Sequence, residues 1–105
     1  MIVYRVAVRV RAEKLNVARE MFARLATESR KVPGVIHFDI LQDPADPHSF
    51  VSSEVYEDQA AIDRQERLPE LDEVMRAFPE ILVGCPDGTK FFVSSAEPWP
   101  AASLG

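Results

Sequence analysis

The sequence predicts an α+β fold, with a four-stranded antiparallel sheet and the ferredoxin-like element order β-α-β-β-α-β. Three observations lead to this prediction. Apolar and polar residues alternate with the period of a strand in four segments, helical spacing fills the long intervals after the first and third segments, and a proline-rich turn joins the second segment directly to the third. In this arrangement the helices pack on one face of the sheet.

The first strand is predicted over residues 2–10, because one set of alternating positions there is wholly apolar. Arg5 and Arg9 belong to the other set. From about Glu13 the apolar residues recur every three or four positions, which indicates an amphipathic helix. The pair Pro33-Gly34 ends this helix, since both residue types interrupt regular structure.

Two further strands are predicted over residues 35–41 and 50–56, on either side of the turn Asp43-Pro44-Ala45-Asp46-Pro47. Asp58 is then a suitable N-cap for a short helix that extends to about residue 65. Pro69 fits the first turn of another helix, and Pro79 limits how far that helix continues past Phe78.

The last strand is predicted over residues 90–95, after a loop at residues 84–88. We assign residues 1–97 to one domain and residues 98–105 to an irregular C-terminal tail. Trp99 lies between two prolines in this tail, and we expect it to pack on a partner subunit.

Composition and charge narrow the classes of partner. The chain has 105 residues and a net charge of −5, which argues against nucleic acid because phosphates require a basic surface. No apolar run approaches the roughly 20 residues that span a bilayer, and the N-terminal segment lacks the pattern of a signal peptide. The single cysteine, Cys85, excludes a cysteine-based zinc cluster. We therefore expect a cytoplasmic protein without a metal and without a nucleic-acid or membrane partner.

Helices cover one side of such a sheet, so the other side faces water or a partner. We assign to this open side a set of mostly polar residues from the first three strands: Arg5, Arg9, His37, Asp39, Phe50, Ser52, Glu54 and Tyr56. A second copy of the sheet packed against it would form a closed barrel with a partly polar interior. The sequence therefore predicts a homodimer through the open sheet face.

The chain resembles the antibiotic biosynthesis monooxygenase family of dimeric α+β barrel proteins over residues 2–96. The resemblance rests on the first strand and long helix, Pro33-Gly34, the turn at residues 42–47, and the junction Phe50-Val51-Ser52-Ser53-Glu54-Val55-Tyr56-Glu57-Asp58. It implies oxidation of a small aromatic phenol or hydroquinone by molecular oxygen, with no metal or flavin cofactor. The superfamily also includes haem-degrading enzymes, isomerases and proteins without known activity.

The chain departs from the family at several positions. Tyr56 stands where tryptophan is common, and Gln65 and Glu70 stand where two histidines are common. The first strand also lacks the asparagine that haem-degrading members use. Because these positions supply the usual base or axial ligand, the comparison disfavours haem and implies a reaction without a cofactor.

Two site models follow. In the first, the open face carries the chemistry: His37 is the base, Asp39 lies beside it, Tyr56 with Arg5 or Arg9 stabilises the anion, and Glu54 orients them, with Ser52 adjacent. The same residues could instead form a structural ion network between two sheets. In the second model, which follows the family, the ligand lies between helices and sheet, against Phe22, Leu25, Gln65, Met75 and Phe78.

These models place the ligand on opposite sides of the sheet, and the sequence leaves the choice open. Two other functions also remain open. One is a non-catalytic dimer that binds a small aromatic molecule or serves a structural role. The other is a cofactor-free isomerase or cyclase, in which His37 or Asp39 would move a proton without consuming oxygen.

Overall fold

The computed structural model describes residues 1–100, in which four strands and three α-helices are present. The strands are β1 (Ile2–Arg9), β2 (Val35–Gln42), β3 (Ser49–Tyr56) and β4 (Asp87–Phe92). The helices are α1 (Leu15–Ser29), α2 (Gln59–Glu66) and α3 (Pro69–Ile81), and a short 3-10 helix at Ala12–Lys14 precedes α1. The order β-α-β-β-α-α-β confirms the predicted ferredoxin-like fold class, with two helices in the second interval.

The sheet has the order β2-β3-β1-β4, and every neighbouring pair is antiparallel. The three helices cover one face, where the hydrophobic core forms against Ile2, Phe38, Phe50 and Tyr56 of the sheet. Each of these four side chains is buried. We call this side the covered face and the opposite side the open face.

The predicted division of residues between the two faces is wrong for β3. Its register places Glu54 opposite Tyr4 of β1 and Phe38 of β2, both on the covered face. Ser52 and Tyr56 share that face because side chains two residues apart lie on the same side of a strand. The set Phe50, Ser52, Glu54 and Tyr56 therefore faces the helices, and Val51, Ser53 and Val55 occupy the open face instead.

The open face retains the other four predicted residues. Arg5 and Asp39 lie in one row across the sheet, on either side of Ser53, and His37 lies in the next row beside Val55. Arg9 lies further along β1, where its Nε donates to Asp46 Oδ2 at 3.3 Å. These four side chains are thus separated from Glu54 and Tyr56 by the sheet itself.

Helix α2 is placed by contacts at both of its ends. Asp58 caps it as predicted, since its Oδ1 accepts a hydrogen bond from the Ala61 backbone N–H at 2.9 Å. Arg64 Nη2 donates to the Pro33 carbonyl at 2.8 Å. Gly34 has a positive φ of 88°, and a Cβ there would lie 2.6 Å from that of Ala61, so only glycine allows this close approach.

Two elements, α3 and β4, differ clearly from their predicted bounds, and β4 begins at Asp87, inside the predicted loop at residues 84–88, instead of at residue 90. Helix α3 continues through Pro79 to Ile81, because a proline in the last turn removes only one hydrogen bond and the Leu82 N–H still donates to the Phe78 carbonyl. Strand β4 ends at Phe92 because it pairs with β1, where Phe92 lies opposite Ile2 at the start of that strand.

Residues 93–100 form neither helix nor strand, and the rest of the predicted tail, residues 101–105, lies outside the described residues. Trp99 is exposed in the single chain, and its contact with a partner subunit stays a prediction. Within residues 1–100, no helix has the length and apolar character needed to cross a membrane.

Candidate functional site

A cavity of about 500 Å³ lies between the covered face of the sheet and the helices. Strands β1, β2 and β3 form its floor, and all three α-helices contribute to its walls. A site of this size suits a small aromatic molecule. Its lining residues are Tyr4, Val6, Val8, Phe22, Leu25, Phe38, Ile40, Phe50, Ser52, Glu54, Tyr56, Gln65, Glu66, Leu71, Val74, Met75 and Phe78.

Glu54 is the carboxyl group on the floor of this cavity. Ser52 Oγ donates to its Oε2 at 2.7 Å, and the Tyr56 hydroxyl donates to its Oε1 at 2.6 Å. Ser52, Glu54 and Tyr56 are two residues apart along β3, so their side chains lie on the same face of the strand. The strand geometry therefore places a hydroxyl donor on each side of the carboxylate. Both carboxylate oxygens retain a further lone pair that can accept a proton or a hydrogen bond.

Burial raises the pKa of Glu54 above the ordinary value of 4.5, because the apolar surroundings disfavour its charge. The hydrogen bonds from Tyr56 and Ser52 act in the opposite direction, and the nearby charge of Glu66 raises the pKa further. Glu54 is therefore a stronger base than an exposed glutamate, and its geometry is defined by two fixed donors.

Tyr56 remains a neutral hydroxyl donor at this site. Its side chain is fully buried, and burial together with the adjacent Glu54 carboxylate raises its pKa far above the ordinary value of 10.0. Its ring packs edge-on against the ring of Tyr4, with centroids 5.8 Å apart. Tyr56 is thus anchored, and its hydroxyl is directed to Glu54.

Gln65 brings an amide group from α2 into the cavity wall. Its side chain is 3% exposed, and its Nε2 donates to Ser29 Oγ of α1 at 3.2 Å. Among the hydrogen bonds of residues 1–100, none has the amide oxygen of Gln65 as acceptor. That oxygen is therefore available to a donor in the cavity.

The apolar walls are well packed at one end and exposed at the other. Phe22 of α1 meets Phe50 of β3 edge-on, with ring centroids 5.3 Å apart and both side chains buried. Met75 of α3 is 55% exposed, and Glu66 at the end of α2 is also exposed. Met75 and Glu66 thus mark the opening of the cavity to solvent.

The open face offers a different environment for the remaining predicted site residues. Asp39 accepts a hydrogen bond from Arg30 Nη2 at 3.2 Å, and their side chains are 44% and 53% exposed. His37 is exposed. The structure therefore does not bring His37, Asp39, Arg5 or Arg9 together with Glu54 and Tyr56, and the single polar site of the first model is wrong as a spatial arrangement.

The residues predicted from the family resemblance and from β3 do meet. Phe22, Leu25, Gln65, Met75 and Phe78 line the same cavity as Ser52, Glu54 and Tyr56. Sequence reasoning missed two residues that bear on the chemistry, Tyr4 and Glu66. The register of β1 against β3 identifies Tyr4, whereas Glu66 lies in an acidic segment that resembles an ordinary solvated surface.

Residues 1–100 include no cluster of three or more His, Cys, Asp or Glu side chains arranged to hold a metal ion. The polar groups that the cavity presents are those of Ser52, Glu54, Tyr56, Gln65 and Glu66, together with the Tyr4 hydroxyl. A hydroxyl-bearing aromatic ring in this cavity would thus meet a carboxylate base within an apolar enclosure.

Comparison with protein families gives a match to the model for antibiotic biosynthesis monooxygenase over residues 1–77. No curated protein matches the chain. Among solved structures, the chain is similar to proteins from Nitrosomonas europaea and Deinococcus radiodurans, each described as a "putative antibiotic biosynthesis monooxygenase". Both superpose with a TM-score of 0.83, at 22% and 17% sequence identity respectively.

The Nitrosomonas match covers 90% of this chain and 100% of the other, and the Deinococcus match covers 94% and 98%. A protein of unknown function from Bacteroides thetaiotaomicron is also similar, with a TM-score of 0.76, 21% identity, and coverage of 86% of this chain and 94% of that one. At these identities the structural likeness establishes the fold, and function has to be argued from the site.

Proposed function

Because the chain belongs to the antibiotic biosynthesis monooxygenase family, we propose that it oxidises a small phenol or hydroquinone with molecular oxygen, with Glu54 as the base. The observation that carries this proposal is the carboxylate of Glu54 on the floor of an otherwise largely apolar cavity of about 500 Å³. Ser52 and Tyr56 hold that carboxylate in place with two short hydrogen bonds.

Proton transfer to Glu54 would start the reaction. A hydroxyl group of the substrate donates to a free lone pair of the carboxylate, and the raised pKa of Glu54 favours acceptance of the proton. The apolar wall contributed by Phe22, Phe50 and Phe78 would hold the ring against the sheet. The resulting anion is electron-rich and reduces oxygen without a further reductant.

The stoichiometry of this reaction balances for a hydroquinone. Its anion transfers electrons to oxygen and forms a carbon–oxygen bond, which gives a ring hydroperoxide. Loss of water from the hydroperoxide leaves a hydroxyquinone, so one oxygen atom enters the product and the other leaves as water. Protonated Glu54 returns its proton to the departing oxygen, which restores the base.

Tyr56 has a supporting role in this scheme. The open-face model of the site assigned Tyr56 to stabilisation of the substrate anion, but its hydroxyl donates to Glu54 instead. We therefore assign Tyr56 and Ser52 to the positioning of the base. Gln65 lines the cavity, and its amide oxygen can accept a hydrogen bond from a second substrate hydroxyl.

We also propose that the protein is a homodimer, in which the open faces of the two sheets pack against each other. Members of this family are commonly dimeric. The open face carries the half-buried side chains of Val3, Val51 and Val55, and Leu41 and Phe91 are 60% and 47% exposed there. A sheet face with this much apolar surface favours a partner of the same kind. A cytoplasmic location is part of the same proposal.

A second candidate function is binding of an aromatic molecule without turnover. Gln65, which stands where the family commonly has histidine, is bonded to Ser29 and cannot act as a base. If Glu54 alone is insufficient for oxygen chemistry, the cavity would still bind an aromatic ring. An isomerase or cyclase would use Glu54 to move a proton between two substrate atoms without oxygen.

The deciding experiment is oxygen uptake by the purified, metal-stripped protein with a panel of hydroquinones and anthrones. We expect turnover above autoxidation, and Glu54→Gln should reduce it by a factor of roughly 10² to 10⁴, the usual contribution of a positioned base. Glu57→Gln is the matched control, because Glu57 is exposed and follows the same strand outside the cavity lining. It should retain full activity.

His37→Ala distinguishes the two site models, since His37 lies on the open face. Loss of turnover in His37→Ala but not in Glu54→Gln would contradict the proposal. Binding of the panel without oxygen uptake would favour the second candidate, and conversion of a substrate under nitrogen would favour the isomerase.

A further inference from the structure

The charged residues of the cavity lining are all of one sign. Glu54 lies on the floor and Glu66 lies at the opening, whereas no lysine, arginine or histidine belongs to the lining. No salt bridge formed within residues 1–100 includes either of these two carboxylates. They are also close enough for the charge of Glu66 to raise the pKa of Glu54. An anionic substituent on the ligand would therefore be repelled both at the floor of the cavity and at its opening.

The hydrogen-bonding groups of the cavity are mainly acceptors. The hydroxyls of Ser52 and Tyr56 donate to Glu54, and one amide N–H of Gln65 donates to Ser29. The remaining acceptors are the two carboxylates and the Gln65 amide oxygen, whereas the remaining donors are the Tyr4 hydroxyl and the second amide N–H of Gln65. A ligand that satisfies the carboxylates has to supply N–H or O–H donors.

The lysine of β4 that lies beside this lining already has partners. Lys90 of β4 lies opposite Tyr4, with its Nζ 5.5 Å from the Tyr4 ring centroid and 5.3 Å from that of Phe92. The same Nζ donates to Gln59 Oε1 at 2.9 Å. Lys90 is thus held on the β4 side by an amide and two rings, and the carboxylates are left for a cation from elsewhere.

The opening of the cavity suits an organic cation. Glu66 and Met75 are exposed there, so a positive group beside them would remain partly hydrated and would avoid most of the desolvation cost. The aromatic ring of Phe78 and the sulfur of Met75 are also polarisable partners for such a group. Most of the other lining residues are apolar.

From these observations we propose that the substrate is a hydroxylated aromatic compound that carries a protonated amine, with its phenol at Glu54 and its ammonium group at Glu66. This inference rests on the proposed function for the role of Glu54, and it adds the charge of the substrate. It applies to a compound with one ring and a short side chain, which a cavity of about 500 Å³ can enclose.

The test compares three phenols of similar shape that differ in the charge of the side chain: tyramine, 4-ethylphenol and 3-(4-hydroxyphenyl)propanoate. Their dissociation constants would be measured by titration calorimetry with the full-length protein at pH 7 and low salt. We expect tyramine to bind at least about tenfold more tightly than 4-ethylphenol, and the propanoate to bind most weakly.

Glu66→Gln should reduce the advantage of tyramine over 4-ethylphenol to within about threefold, because it removes the exposed charge at the opening. Glu80→Gln is the control, since Glu80 is exposed on α3 outside the cavity lining, and it should preserve the order. Equal affinities, a preference for the propanoate, no binding of any of the three, or an order unaffected by Glu66→Gln would each overturn the inference.

These outcomes are separable from those of the proposed function. Oxygen uptake with uncharged hydroquinones, found together with equal binding of the three phenols, would overturn the inference on charge alone. A clear preference for tyramine in a protein that consumes no oxygen would instead overturn the oxygenase and retain the cation-selective cavity.

Discussion

Glu54 and Asp39 are carboxylates on the neighbouring strands β3 and β2, and Asp39 lies opposite Ser53, the residue before Glu54. The two nevertheless occupy very different environments. Glu54 lies on the covered face, lines the cavity and is held by two hydroxyl donors. Asp39 lies on the open face, where its side chain is 44% exposed and pairs with Arg30. The covering helices, and not the residue type, make one carboxylate a candidate base and leave the other a surface ion pair.

The same contrast extends to the apolar residues of β3. Phe50 and Tyr56 are almost completely buried on the covered face, whereas Val51 and Val55 on the open face are only half-buried in the single chain. The covered face therefore accounts for the stability of the folded chain, and the open face retains surface that a partner can bury.

The largest difference between the faces should be seen when an apolar side chain is shortened. Phe50→Ala removes a buried ring that packs on Phe22, so the free energy of unfolding should fall by about 3–5 kcal/mol. Leu41→Ala, at a side chain on the open face that is 60% exposed, should cost at most about 1 kcal/mol. Urea denaturation of the monomer, at a protein concentration below the dissociation constant of the proposed dimer, measures both. Equal losses would mean that the two faces are equally buried.

A charge in the middle of the open face should weaken the proposed dimer. Val55 lies between Val3 and His37 on that face, and Val55→Asp should raise the dimer dissociation constant at least about tenfold, since a buried unpaired carboxylate is costly. Sedimentation velocity over a range of concentrations measures this. Val17→Asp, at an exposed position of α1, is the control. A dimer unaffected by Val55→Asp would place the interface elsewhere.

The smallest effect concerns the charge of Glu54 itself. Because the pKa of Glu54 is raised in the folded state, its contribution to stability is complete below the unfolded value near 4.5 and is lost as the pH rises through the folded value. Glu54→Gln removes this loss, so the variant should gain stability relative to the natural protein between pH 4 and pH 7. Thermal unfolding across that range measures it, and a constant difference would contradict the pKa shift.

Much of the fold could be predicted because its signals are local. Asp58 caps α2 and Pro69 begins α3, as their positions before helical patterns indicated. Pro33-Gly34 lies in the turn between α1 and β2. The positive φ of Gly34 lets this turn approach α2 closely. Each of these features depends on a few consecutive residues, which the sequence displays directly.

The candidate site was only partly predictable, and β3 shows why. Its two alternating sets are both mixed, one with Phe50, Ser52, Glu54 and Tyr56, and the other with Val51, Ser53 and Val55. Polarity alone favours the valines for the core. The structure places the two rings there because they fill the space beneath the helices, and the cavity between them accommodates Ser52 and Glu54.

By itself, the sequence determined the order of strands and helices, most of their ends and the fold class, because periodicity, caps and turn residues act over short distances. Only the tertiary structure decided which side of the sheet the helices cover. That choice depends on packing between residues far apart in the chain, such as Phe22 on Phe50 and Gln65 on Ser29. It decides where Glu54 lies, because a two-residue period defines two faces of a strand but does not say which one is buried.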